Sequence, residues 1–105
     1  MLLPLMSPSV DVLCLYRVRP EAEPALRELL ARHGPTLRAE GLLSPAPTRL
    51  LRSLDRSGRT VFLESFQWRD AGAPDAAHQS ARVMALWGRM EQLCEELEFL
   101  DTVPA

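Results

Sequence analysis

The side chains best suited to chemistry gather in one stretch, residues 61–90, VFLESFQWRDAGAPDAAHQSARVMALWGRM, which holds Glu64, His78 and both tryptophans. An imidazole ionises close to neutrality, so His78 is the candidate catalytic base. Trp68 and Trp87 can stack on a planar ligand, with core packing as the competing use of their large apolar surfaces. At strand periodicity Phe62, Glu64, Phe66 and Trp68 share one face, which sets a carboxylate among aromatic rings. Glu64 could form a polar cluster with Tyr16, Arg17 and Arg19. The two arginines alternate away from Tyr16, however, so a Glu64–arginine pair needs a sheet edge or a subunit interface, and a structural ion pair is the plainer role. His33 falls on the apolar face of a helix near its C-terminal end, where the dipole favours a cationic ring, and reads as an anchor.

Whether His78 can act depends on the element that carries it. In an unbroken helix it lies roughly 120° from the centre of the apolar stripe and faces solvent. It turns inward only if the helix breaks near Gln79, where Ser80 can cap a new segment beginning at Ala81. There is no glycine-rich phosphate cradle, no clustered Cys/His ligand set and no Ser-His-Asp arrangement, so neither a metal nor a cofactor is expected.

The elements around these residues follow from periodicity. Residues 10–19 predict a strand with Val10, Val12, Cys14, Tyr16 and Val18 on one face and Leu13 and Leu15 on the other. Both faces are apolar, and so short a chain has little to cover the second, which points to a partner subunit. Residues 21–33 predict an amphipathic helix that Gly34 and Pro35 stop or bend, followed by a short turn that Gly41 closes. Strands at 48–54 and 59–68 flank the turn Asp55-Arg56-Ser57-Gly58 and form a hairpin. A long helix over 75–97 carries Val83, Leu86, Trp87, Met90, Leu93, Cys94 and Leu97 as its stripe, and residues 98–103 supply a last strand. The order βαββαβ describes one α+β domain at 10–105, a split βαβ arrangement with a four-stranded antiparallel sheet, behind a flexible tail at 1–9.

Composition narrows the remaining choices. The chain has 105 residues, 47% hydrophobic and 25% charged, with a formal charge of −2, which is the profile of a globular protein with no basic field for nucleic acid or anionic lipid. All twelve basic residues are arginine, and Lys, Ile and Asn are absent, a bias of coding rather than of chemistry. No apolar run approaches the roughly 20 residues of a membrane span, and the opening segment lacks the basic start and length of a signal sequence. Cys14 and Cys94 lack metal or redox spacing and read as buried thiols, so a cytoplasmic location is expected.

The βαββαβ order, the strand ending at Trp68 and the AHQS segment at residues 77–80 ahead of an amphipathic helix together resemble the antibiotic biosynthesis monooxygenase-like family, whose members have a ferredoxin-like protomer and form a dimeric α+β barrel. The resemblance spans roughly residues 10–103. It implies a homodimer paired through the sheet face, and a cofactor-independent monooxygenase acting on a small aromatic or quinol-like substrate. His78 matches the family's helix histidine and Trp68 the tryptophan that ends its third strand; Trp87, Tyr16 and Glu64 would complete the ligand-binding set. The alternatives are a non-catalytic dimeric ligand-binding or interaction module of the same fold, and a haem-binding protein. Because the chain has no Asn, the Asn-Trp-His set of the haem-degrading relatives is incomplete here.

Overall fold

The computed structural model describes residues 8–105, so most of the expected tail, residues 1–7, lies outside the described residues. Strands β1 (Val10–Val18), β2 (Arg49–Leu54), β3 (Thr60–Trp68) and β4 (Cys94–Thr102) form one antiparallel sheet in the order β2-β3-β1-β4. Helices α1 (Glu23–Ala39), α2 (Ala73–His78) and α3 (Ala81–Leu93) complete a ferredoxin-like α+β fold, as expected. The alternation of β1 and β3 puts Val12, Cys14, Tyr16, Val18, Phe62, Phe66 and Trp68 in the core with Leu26, Leu29, Leu30, Leu37, Val83 and Met90 of the helices.

Three boundaries differ from the sequence reading. First, α1 runs through Gly34 and Pro35 to Ala39. An interior proline costs about 3 kcal/mol, but Leu37 beyond it is fully buried and the bare Gly34 lets Thr48 approach closely, so tertiary contact outweighs local preference. Gly41 closes the helix as expected: at φ 73° it lets Leu42 N–H donate to Leu37 O and its own N–H to Arg38 O, each at 3.0 Å.

Second, the expected long helix is two helices. Ser80 is extended (φ −89°, ψ 117°) and its Oγ accepts from Val83 N–H at 3.2 Å, capping α3. The same hydroxyl donates to Glu40 at the end of α1, so the break is fixed from outside the segment. Third, α3 ends at Leu93 and β4 begins at Cys94, leaving Cys94 and Leu97 in a strand rather than on a helical stripe. The helix-favouring Glu and Leu of CEELEF hide a period of two: Leu97, Phe99 and Asp101 stand opposite Tyr16, Cys14 and Val12 on the helix-covered face.

The hairpin forms where expected. Asp55 Oδ1 accepts from Ser57 N–H (2.9 Å), Ser57 Oγ–H (2.6 Å) and Arg59 N–H (3.0 Å), and Gly58 takes φ 82°. The second sheet face carries Leu13, Leu15, Leu51, Leu63 and Leu100; Leu51 and Leu100 are 47% and 42% exposed. Among the described residues no helix is long and apolar enough to cross a membrane.

Candidate functional site

The helix break determines where His78 stands. It ends α2, and its Nδ1 lies 2.8 Å from Pro74 O, one helical turn back. A carbonyl only accepts, so Nδ1 carries a proton, and Nε2 is the ring nitrogen left for proton exchange with an occupant. The imidazole is exposed, yet it stands 5.2 Å from the Trp87 ring in an edge-on contact and borders a pocket of about 380 Å³.

This pocket lies between α2, α3 and the helix-covered side of β4. Trp68, Trp87, Phe99, Leu97, Met90 and Pro74 form its walls; His78, Glu91 and Asp101 supply its polar groups. Its volume falls in the range of about 300–1,000 Å³ typical of small-molecule sites. Phe99 packs edge-on against Trp87 with centroids 5.6 Å apart, and Phe66 backs Trp68 at 4.8 Å, so the aromatic walls are braced by further rings.

Tyr16 and Glu64 take a different place: both are buried in the core and neither borders the pocket. They connect to it through His33, which is fully buried. Trp87 Nε1–H donates to His33 Nε2 at 2.8 Å, and the opposite ring nitrogen, Nδ1, lies 2.8 Å from Glu64 Oε1. An indole N–H can only donate, so His33 Nε2 is unprotonated and Nδ1–H donates to the carboxylate. Tyr16 O–H donates to the same Oε1 at 2.7 Å. Burial, and after it the Glu64 charge, pushes the Tyr16 phenol far above its ordinary range, which keeps it a donor. The result is a continuous chain, Tyr16–Glu64–His33–Trp87, from β1 to the pocket wall.

The expected arginine partners of Glu64 are elsewhere. Arg17 pairs with Asp55 (2.9 Å) and Glu96 (3.4 Å), and Arg19 Nε donates to Gln92 O. Of the residues singled out in the sequence, the pocket brings together His78, Trp68 and Trp87. Leu97, Phe99 and Asp101 were missed as site residues because they sit on β4, whose register is invisible while its start is read as helix, and Glu91 of α3 because it falls outside the apolar stripe. Glu40, which holds the helix break, carries no local signal. Among the described residues no group of three or more His, Cys, Asp or Glu side chains is arranged to hold a metal ion. Cys14 and Cys94 are both free and buried.

No family model matches this chain. No curated protein matches it either. Solved structures do. A cofactor-independent oxygenase, SnoaB from Streptomyces nogalater, superposes with a TM-score of 0.71 at 15% identity over 94% of this chain and 97% of its own. Rv0793 from Mycobacterium tuberculosis gives 0.69 at 20% identity over 92% and 95%. A dimeric ferredoxin-like protein of unknown function from Jannaschia sp. CCS1 gives 0.72 at 15% over 91% and 99%. At these identities the likeness is one of fold, and it is the fold that the resemblance in the sequence implied.

Proposed function

We propose that this chain is a cofactor-independent monooxygenase for a small aromatic or quinol-like substrate, working as a homodimer joined through the leucine-bearing face of its sheet. The observation that carries the reading is His78: Pro74 fixes its tautomer, and its Nε2 is left as an acceptor at the edge of an aromatic-walled pocket. The fold shared with SnoaB, itself a cofactor-independent oxygenase, adds support.

The chemistry needs no external electron donor. His78 Nε2 accepts the proton of a ring hydroxyl, which leaves an electron-rich anion held between Trp68 and Trp87. One-electron transfer from that anion to dioxygen, followed by recombination, forms a C–O bond at a ring carbon bearing hydrogen. The hydroperoxide then loses water as the O–O bond breaks. One oxygen atom stays as a quinone carbonyl and the other leaves as water with the two hydrogens lost by the substrate. A phenol and O2 thus give a quinone and water, with the ring supplying all the electrons.

The test is incubation with a panel of hydroquinones and anthrones, aerobically and anaerobically, following oxygen uptake and quinone absorbance. Uptake by the native protein should fall on the order of 10²-fold or more in His78→Ala, the usual size of an acid–base contribution. No uptake, or equal uptake by both proteins, defeats the reading. A non-catalytic ligand-binding module is the second reading, favoured by the exposure of His78, since water there competes for Nε2.

A further inference from the structure

Resting on that reading, we propose that the pocket selects flat aromatic ligands that bring hydrogen-bond donors, neutral or cationic, and rejects aromatic acids. Its polar inventory is one-sided. His78 Nδ1–H is committed to Pro74 O, and the Trp87 N–H is committed inward to His33, so neither is offered to an occupant. What remains is mostly acceptors, His78 Nε2 and the carboxylates of Glu91 and Asp101, with the Trp68 indole N–H, which has no hydrogen-bond partner among the described residues, as the one uncommitted donor on the walls. Neither carboxylate has an ion-pair or hydrogen-bond partner among the described residues. No arginine borders this pocket, whereas Arg32, Arg82 and Arg89 all line a separate groove between α1 and α3. The basic and acidic groups are thus segregated to different sites, with Met90 and Glu91 of α3 at one and Arg82 and Arg89 at the other.

The walls agree with the rim. Trp68, Trp87 and Phe99 offer aromatic faces and edges, which attract flat rings and, through the ring quadrupole, positive charge. An apolar cavity of about 150 Å³ holds one benzene ring. At about 380 Å³ this pocket has room for two or three fused rings. A carboxylate or phosphate placed there would meet two negative charges against a single indole donor, while a ring hydroxyl or ammonium would find three acceptor side chains.

Calorimetric titration under anaerobic conditions tests this with three bicyclic probes of one shape: 2,6-dihydroxynaphthalene, 2-naphthylmethylammonium and 2-naphthoate. The diol and the ammonium should each bind at least tenfold tighter than the naphthoate, a difference of about 1.4 kcal/mol. In the double variant Glu91→Gln/Asp101→Asn, whose altered side chains are both exposed at the rim, the naphthoate should come within about threefold of the diol. Circular dichroism establishes that the variant is folded. Naphthoate binding as tightly as the diol to the native protein, a ratio unchanged in the double variant, or no binding of any probe overturns the proposal. The expected ranking without oxygen uptake defeats only the oxygenase reading, and uptake with naphthoate as the tightest ligand defeats only this one.

Discussion

The hydrogen bond between Trp87 and His33 is where a buried core and an open pocket meet. His33 has both ring nitrogens in use, and each of its partners is fixed in role: an indole that only donates and a carboxylate that only accepts. Trp87→Phe keeps most of the ring but strands a buried acceptor, and should cost about 1–3 kcal/mol by urea unfolding. Combining it with His33→Phe should cost clearly less than the sum of the two single changes, because the stranded partner is then gone too. Glu64→Leu should be the most damaging single change, since it orphans two buried donors at once. Cys94 gives a pH test. Burial raises its thiol from 9.0 to about 11, against a smaller lowering by Arg19. The unfolded chain therefore releases this proton first, so stability is fully present below pH 9 and declines as pH rises from 9 toward 11. Cys14 and Tyr16 are raised in the same direction and add to the decline. Urea midpoints at pH 8 and 10.5 should show the loss, and Cys94→Ala should reduce it.

At the level of elements, the decisive feature is the two-residue interruption, Gln79 and Ser80, between α2 and α3. Ser80→Ala removes a cap, should cost about 1 kcal/mol, and should speed amide exchange at the start of α3. Because the break also sets the direction of His78, oxygen uptake should fall in the same variant. The possibility of this break could be read from Ser80 and its spacing to Ala81; its occurrence could not, because Glu40 stabilises it from 40 positions away. The same division holds elsewhere. Strands β1 and β3 were legible because their alternation is strong and their register follows from the Asp55–Gly58 hairpin and the sheet order. The first turn of β4 was not, because Glu95, Glu96 and Leu97 favour a helix and no Gly or Pro marks its end. His33 was legible as a buried anchor, whereas its link to Trp87 joins two helices that periodicity treats separately.

For the whole molecule, the sheet has one face under helices and one face that a second copy would cover. Leu51 and Leu100 stand exposed beside the half-buried Leu13, Leu15 and Leu63. Sedimentation should report twice the 11.8 kDa protomer mass, and Leu51→Glu/Leu100→Glu should return it to the protomer mass without unfolding it. A single 11.8 kDa species at micromolar concentration overturns the dimer. Because the pocket lies on the helix-covered side, monomeric protein should still bind the diol probe.

Leu93 and Cys94 are consecutive residues belonging to a helix and a strand, with nothing between them. Trp87, Met90 and Glu91 on one side of that junction and Leu97, Phe99 and Asp101 on the other are therefore two arms of a single stiff bracket, with no slack to spread apart. The short α2 and its terminal His78 border the same pocket from outside that bracket. The same stiffness makes the junction intolerant of insertion: one added residue would turn all three strand side chains to the other face of the sheet, leaving a folded protein without half of its pocket.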